Sequence, residues 1–142
     1  MELNRKFRKL LNAQLRDMTV EDIMAPEVVT INEDATFAQL YSLISEYHHV
    51  GYPVVNKENE TTGVISYKDL FRVTREDWSN IRVKERMSTR LVCVSPGDDV
   101  IDAMEKMTEE GIGRLLVMEE DKLVGIVSRS SVMDGAIKRL LA

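Results

Sequence analysis

The chain has 142 residues, of which 44% are hydrophobic and 30% charged, a composition typical of a folded globular protein and not of a disordered chain. Its net charge of −5 argues against general nucleic-acid binding, because phosphate contacts come mainly from Lys and Arg. The single cysteine cannot form an internal disulfide, which predicts a reducing, cytoplasmic setting, and no apolar run reaches the ~20 residues that span a bilayer.

Residues 1–17 are predicted to form an amphipathic helix that precedes the rest of the fold. Four basic residues between positions 5 and 9 lie largely away from its apolar side. Such a helix can rest on anionic lipid, or it can pack on its own module or on a dimer mate, which is the commoner arrangement. The apolar side is formed by Leu3, Phe7, Leu10 and Leu11.

The first half of the remaining chain is predicted to fold as strand, helix, strand, strand and helix. Residues 28–31 form a short β-branched run, and residues 37–47 carry apolar side chains at helical spacing, with Asp34 and Thr36 placed to cap that helix. A polar turn separates two further apolar runs and indicates a β-hairpin. The last helix begins after Ser66.

The second half repeats this pattern in the same order. The stretch at 20–24 recurs at 83–87, and the apolar runs that follow each stretch match at nearly the same offset. In this copy, Asp98 and Asp99 are placed to cap the first helix, and the last helix begins after Ser128. We assign repeat 1 to residues 18–76 and repeat 2 to residues 77–142.

The duplication predicts an α/β (α+β) fold made of two β-α-β-β-α repeats. One repeat alone buries too little surface to be stable, so we expect the two copies to pack with pseudo-two-fold symmetry and to leave a cleft between them. Residues 72–82 link the copies, and Trp78 is predicted to anchor that linker.

With this order of elements, the sequence resembles the tandem cystathionine-β-synthase (CBS) domain pair, or Bateman module, over residues 18–136. The resemblance rests on the hydrophobic-x-x-hydrophobic-Met opening, the repeated order, and the Gly-Val-Ile-Ser-Tyr-Lys-Asp segment at 63–69. It implies a non-catalytic regulatory module that binds ATP, ADP or AMP, less often S-adenosylmethionine, in the cleft between repeats. It also implies a homodimer that controls an enzyme, channel or transporter. The alternative is a ligand-free module for dimerisation or docking.

A narrower resemblance concerns the segments at 75–78, 82–87, 111–117 and 125–131. They are similar to the CBS pairs that are fused to membrane-embedded, site-two-type zinc metalloproteases. This similarity implies a membrane protease as the controlled protein. No proteolysis is assigned to the chain itself, because it has no His-Glu-x-x-His motif.

For a nucleotide ligand, Asp69 is the candidate that would bind the ribose. An ionised carboxylate accepts two hydrogen bonds from vicinal hydroxyls, as an acidic residue does in dinucleotide-binding folds. Ser66-x-x-Asp69 is also the pattern of a helix capping box, and the two roles are compatible. The second copy reads Ser128-Arg-Ser-Ser131, in which a neutral hydroxyl replaces the acid and leaves its ribose contact in question.

The candidate phosphate ligand is Arg114, just before a strand of the second copy, because a guanidinium matches phosphate oxygens as a bidentate fork. A solvated surface arginine is the equally weighted alternative. The first copy has Gly51 at this position, with His48 and His49 nearby as weaker donors. Carboxylate and positive charge are thus split between the two copies.

The slot for the base is expected along the first strand and the first hairpin strand of each copy. Adenine would be recognised largely by main-chain groups there, and most side chains, including that of the lone cysteine, would pack as ordinary core. We predict no metal site, because adjacent histidines point apart and no third ligand supports them. The residues of this slot are Thr30, Ile31, Tyr52, Pro53, Cys93, Val94 and Leu115.

Overall fold

The computed structural model describes residues 2–142, with side chains described from residue 5 onward. The protein divides into two compact units. Unit 1 consists of the residues up to 27 together with residues 92–142, and unit 2 consists of residues 28–91. Each unit contains one three-stranded sheet, so the predicted mixed α/β class is confirmed.

Two helices open the chain and belong to unit 1: α1 (Glu2–Leu15) and α2 (Val20–Ile23). Leu15 is fully buried in the core of unit 1, and Leu11 packs against that core, so this end of α1 packs on its own module. Phe7 and Leu10 remain 51% and 55% exposed. The side chain of Leu3, the fourth residue of the predicted apolar side, lies outside the described residues.

Unit 2 contains the predicted elements of the first copy in the predicted order, but its first strand is only two residues long, at 31–32, and not the whole run 28–31. Its strands have the order β1-β2-β3, with β1 parallel to β2 and β2 antiparallel to β3. Its core is built around large side chains such as Phe37, Tyr52 and Leu70, all fully buried. The elements are β1 (Ile31–Asn32), α3 (Phe37–Tyr47), β2 (Gly51–Val55), β3 (Thr61–Ser66) and α4 (Tyr67–Phe71).

The segment after α4 is held in unit 2 by Trp78, as predicted. Its indole N–H donates a hydrogen bond to the carbonyl of Val73 at 3.0 Å, and its ring centroid lies 5.1 Å from that of Tyr41. The main-chain carbonyl of Trp78 also accepts a hydrogen bond from the N–H of Ala38 at 3.0 Å. Short 3-10 turns lie at Arg75–Asp77 and Val83–Glu85.

The body of unit 1 repeats this arrangement with strand order β4-β5-β6. The hairpin turns at Glu120 and Asp121, whose φ values of 49° and 65° are those of a two-residue turn matched to the twist of the strands. The elements are β4 (Cys93–Val94), α5 (Val100–Glu110), β5 (Arg114–Glu119), β6 (Lys122–Ser128) and α6 (Arg129–Leu141).

Two of the four residues predicted to cap the first helix of each copy do so. Thr36 accepts a hydrogen bond from the N–H of Gln39 at 3.2 Å, and Asp99 accepts one from the N–H of Ile101 at 2.8 Å. The carboxylates of Asp34 and Asp98, which precede these N-caps, bind other groups. Lys84 Nζ donates to Asp34 Oδ1 at 2.7 Å, and the N–H of Ser95 donates to Asp98 Oδ2 at 2.8 Å.

The opening stretch of each repeat is built into the unit whose sheet comes from the other repeat. In unit 1, the N–H of Ala25 donates to the carbonyl of Ile126 at 2.9 Å. In unit 2, the N–H of Ser88 donates to the carbonyl of Val64 at the same distance. The compact units therefore follow tertiary hydrogen bonding and not the order of the repeats along the chain.

A methionine packs on a glycine at each of these attachments. A Cβ atom at Gly125 would lie 2.6 Å from the Sδ of Met24, and one at Gly63 would lie 2.6 Å from the Sδ of Met87. Both methionines pack against the core of their unit. A side chain at either glycine would collide with the methionine unless the methionine shifts.

Candidate functional site

Two equivalent clusters collect the polar site residues, one in each unit. In unit 2, the last residue of β3, Ser66, pairs with Gly51 of β2. In unit 1, the last residue of β6, Ser128, pairs with Arg114 of β5 in the same register. A helix begins directly after each serine. We call these the unit 2 cluster (Gly51, Ser66 and Asp69) and the unit 1 cluster (Arg114, Ser128 and Ser131).

The unit 2 cluster has a carboxylate in a capping box. The N–H and hydroxyl of Ser66 donate to Asp69 Oδ2 at 2.9 and 3.2 Å, and the N–H of Asp69 donates to Ser66 Oγ at 3.4 Å. The other oxygen, Oδ1, is 3.4 Å from Nη1 of Arg72, and the Asp69 side chain is 21% exposed. A carboxylate has about four acceptor positions, so Asp69 keeps capacity for further hydrogen bonds while it caps α4.

The unit 1 cluster reproduces this geometry without the negative charge. Ser131 Oγ accepts from the N–H of Ser128 at 2.8 Å and donates to the carbonyl of Ser128 at 2.9 Å. The N–H of Ser131 donates to Ser128 Oγ at 3.2 Å, which completes the capping box of α6. With the half-buried Arg114 on the paired strand, the cluster is basic where its counterpart in unit 2 is acidic.

Most residues of the predicted base slot pack into the core of their own unit. Tyr52 and Leu115 are fully buried, and Ile31, Val94 and Pro53 are buried as well. These side chains are part of the core of their unit and are not exposed to a ligand. Thr30 and Cys93, at equivalent positions before the buried strand residues, are half-buried and expose part of their side chains.

The lone thiol is half-buried and is not among the core residues of unit 1, so the core packing predicted for it is only partly realised. Burial raises the pKa of Cys93, so the thiol stays protonated at neutral pH and is a poor nucleophile. The ammonium group of Lys106 donates a hydrogen bond of 2.6 Å to the main-chain carbonyl of Cys93. Lys106 was not identified from the sequence; the one signal for it is that α5 has a single basic residue among acidic ones.

An ion pair in unit 2 was also missed by sequence reasoning. Lys84 Nζ lies 2.7 Å from Asp34 Oδ1, and the guanidinium of Arg82 donates to the main-chain carbonyl of Asp34. The hydrogen bond from Lys84 lowers the pKa of Asp34 below its ordinary value, and the same bond raises the pKa of Lys84. Both residues are far apart in sequence, so no local pattern could have predicted their pairing.

The adjacent histidines have different structural roles: one ends a helix and the other stacks on a tyrosine. His48 ends α3 in a left-handed conformation with φ 58°, and the ring of His49 stacks on that of Tyr52 at 5.6 Å. In the part of the chain that the structure describes, no three His, Cys, Asp or Glu side chains lie close enough to hold a metal ion. Across residues 2–142, no helix has the length and apolar character needed to cross a membrane.

The sequence profile of the CBS domain matches this chain twice, at residues 20–76 and 83–137. Among curated proteins, the chain is 31% identical over 110 residues to an inosine-5′-monophosphate dehydrogenase of Bifidobacterium longum. That match covers 76% of this chain and 20% of the dehydrogenase. Several of these relatives are much longer than this chain. The matched regions make up only 20%, 40% and 22% of the lengths of three of them.

Two solved structures share the fold over most of the chain. The CBS domain of a bacterial CNNM/CorC family Mg²⁺ transporter, in complex with ATP, superposes with a TM-score of 0.82 at 22% identity. It covers 93% of this chain and 97% of that one. CBSX2 in complex with AMP superposes with a TM-score of 0.76 at 25% identity, covering 84% of this chain and 96% of that one.

Proposed function

Because the chain belongs to the CBS domain family, we propose that it is a regulatory module that binds an adenine nucleotide (AMP, ADP or ATP). It controls a partner or a fused protein and has no catalytic activity of its own. Complexes of similar structures with ATP and AMP support this proposal, and they favour these ligands over S-adenosylmethionine. We further propose that the module is a homodimer and works on the cytoplasmic side, where these nucleotides are abundant. The protease parentage stays a prediction.

The observation that carries the proposal is the carboxylate of Asp69. It lies where a strand ends and a helix begins, it is partly exposed, and its capping bonds use only part of its acceptor capacity. We assign it to the vicinal hydroxyls of the ribose. Ser131, its counterpart in unit 1, has a hydroxyl that already accepts and donates within the cap, so it offers less to a ribose.

Arg114 is assigned to phosphate. The three residues of the unit 1 cluster are an arginine and two serines, whereas the unit 2 cluster has the carboxylate and a glycine at the arginine position. Main-chain groups beside Thr30 and Cys93 are assigned to the base, because these positions are half-buried at the edge of buried strands.

Thermal melts of the nucleotide-free protein test the proposal directly. A ligand that binds only the folded state stabilises it by about 2.7 kcal/mol at about a hundredfold excess over Kd. For a domain of this size, that corresponds to a rise in melting temperature of roughly 10 °C. We expect such a rise with AMP, ADP or ATP and little with GTP. No rise with any of them would support the ligand-free interaction module instead.

Asp69→Ser separates the ribose role from the capping role. It converts the unit 2 motif into the Ser-x-x-Ser motif of unit 1, where Ser131 completes a capping box without a carboxylate. The variant should therefore keep its melting temperature without ligand. Its affinity for the nucleotide should fall by roughly 1.5–3 kcal/mol, the contribution of a hydrogen bond to a charged group. Calorimetric titration measures this; unchanged affinity would leave Asp69 as a cap only.

Arg114→Ala isolates the phosphate contact. AMP and ATP should bind more weakly by roughly 1.5–3 kcal/mol, while adenosine, which has the same base and ribose but no phosphate, should bind as it does to the wild type. Titrations with the three ligands make the comparison. An equal loss for adenosine and AMP would assign Arg114 to the fold and not to phosphate.

A further inference from the structure

Helix α5 places an ammonium group on the first strand of unit 1. Lys106 Nζ donates a hydrogen bond of 2.6 Å to the main-chain carbonyl of Cys93, and both residues are half-buried. Cys93 is one of the two positions whose main-chain groups are assigned above to the base of the nucleotide. Its carbonyl is therefore already bound by a cationic donor from the chain itself.

The carbonyl of Cys93 points to the open edge of the sheet of unit 1. The residue before it, Val92, accepts a hydrogen bond at 3.1 Å from the N–H of Leu116 on β5. Successive residues of a strand direct their main-chain groups to opposite sides, so the groups of Cys93 point away from β5. Strand β4 is the end strand of its sheet, and an edge carbonyl is an acceptor that a ligand can reach.

Unit 2 has the same open edge without the ammonium group. Strands β1 and β2 pair in the register of β4 and β5, so Thr30 takes the position of Cys93. Counted from the first residue of each helix, Leu43 of α3 takes the position of Lys106 in α5. Leu43 packs against the core of unit 2 and has no hydrogen-bond donor in its side chain. In the described part of the chain, no hydrogen bond is donated to the carbonyl of Thr30.

This difference decides which base each edge can bind. Adenine has an amino group, which is a donor, where guanine and hypoxanthine have an oxygen, which is an acceptor. The carbonyl of Thr30 suits the amino group, whereas the ammonium group on Cys93 meets it donor to donor and repels it. We propose that Lys106 excludes adenine from the edge of unit 1, so that Thr30 reads the base and each chain binds one adenine nucleotide. This inference rests on the proposed function and narrows its base assignment from two positions to one.

Calorimetric titration of the full chain with AMP counts the sites. Ser131→Asp gives unit 1 the Ser-x-x-Asp motif of unit 2, and Lys106→Leu gives α5 the leucine of α3. The wild type and Ser131→Asp should each bind one AMP per chain, because the ammonium group remains. The double variant Ser131→Asp with Lys106→Leu should bind two. Ser131→Asp with Lys138→Leu, at an exposed lysine of α6, is the matched control and should bind one.

The reciprocal change in unit 2 tests base selectivity. Leu43→Lys places an ammonium group beside the carbonyl of Thr30. The wild type should bind AMP more tightly than IMP, which has an oxygen in place of the amino group. Leu43→Lys should lower this preference by roughly tenfold, because the amino group loses its acceptor and the oxygen gains a donor. Leu43→Met, which adds no donor, should keep the preference of the wild type. Thermal melts without ligand check that each variant is folded.

Three results would overturn the role of Lys106 and leave the proposed function intact, since the wild type still binds nucleotide in each. The first is a Ser131→Asp variant that binds two AMP with Lys106 in place. The second is a double variant, Ser131→Asp with Lys106→Leu, that still binds one. The third is a folded Leu43→Lys variant with the AMP preference of the wild type. A wild type that binds no nucleotide would overturn both proposals, and the thermal melts described above detect that case separately.

Discussion

Units 1 and 2 have one backbone plan and differ in the side chains placed on it. The N–H of Val20 donates to the carbonyl of Asp98 in unit 1, and the N–H of Val83 donates to that of Ala35 in unit 2, both at 2.8 Å. Buried main-chain groups must be paired in any fold, so a duplication keeps these bonds while its exposed side chains diverge. The comparison teaches that the backbone frame is common to both units, and that the chemistry differs between them.

The difference at the two clusters illustrates this. Both units start their last helix with the same capping geometry, with N-cap φ values of −126° and −129°. Asp69 completes the box in unit 2, and Ser131 completes it in unit 1. Because a hydroxyl can replace the carboxylate in the cap, the structure of unit 1 does not depend on an acid at this position.

The largest expected difference in stability between the units concerns the two glycines that contact Met24 and Met87. A Cβ at Gly63 would lie 2.8 Å from the main-chain oxygen of Ser88, whereas at Gly125 the nearest main-chain oxygen, that of Ala25, would be 3.1 Å away. Backbone yields less easily than a methionine side chain. Gly63→Ala should therefore cost about 3 kcal/mol and Gly125→Ala about 1–2 kcal/mol. Denaturant unfolding measures both free energies.

Double variants identify the cause of these losses. If the collision with sulfur dominates in unit 1, adding Met24→Ala to Gly125→Ala should cost clearly less than the two single changes together. Adding Met87→Ala to Gly63→Ala should restore less of the lost free energy of unfolding, because the collision with the main-chain oxygen of Ser88 remains. Equal recovery in both units would show that the backbone contact at Gly63 is relieved at little cost.

A smaller difference lies where the first long helix of each unit ends. Helix α3 ends at His48 with φ 58°, and α5 ends at Gly111 with φ 66°, where a Cβ would meet no atom within 4 Å. Side chains destabilise this left-handed conformation, so Gly111→Ala should lower the free energy of unfolding by about 1 kcal/mol. His48→Gly should raise it by up to about 1 kcal/mol. A loss of stability in His48→Gly, measured by denaturant unfolding, would contradict this and assign a packing role to the imidazole.

The smallest expected effect is the ion pair between Asp34 and Lys84, which unit 1 lacks because Gly97 and Glu21 occupy the equivalent positions. The pKa of Asp34 is lowered from 3.8, so its contribution is present above that pH and is lost as the pH falls through the lower folded value. The pKa of Lys84 is raised from 10.5, so its contribution is lost as the pH rises through the higher folded value.

Asp34→Asn should therefore lower the melting temperature slightly at neutral pH, and the difference from wild type should vanish in strong acid. Because both side chains are exposed, added salt should also reduce it. Melts of the two proteins over a range of acid pH provide the measurement. A difference that persists after the carboxylate of the wild type is protonated would assign the effect to hydrogen bonding of Asp34 and not to its charge.

Much of each unit was predictable from local patterns in the chain. Apolar spacing and turn residues predicted the order of strands and helices in both copies, the two hairpins, and the capping box at Ser66. These features depend on residues a few positions apart, because helix periodicity, strand alternation and capping are local properties of the backbone. The assignment of Asp69 and Arg114 to a ligand is a prediction that comes from the same patterns and still awaits its test.

The tertiary structure alone decided which distant segments meet. It placed the opening stretch of each repeat beside the sheet of the other and paired Asp34 with Lys84. None of these contacts has a signature within one helix or hairpin. They are selected by which apolar surfaces exclude water together and by which main-chain groups still need partners once the local elements have formed.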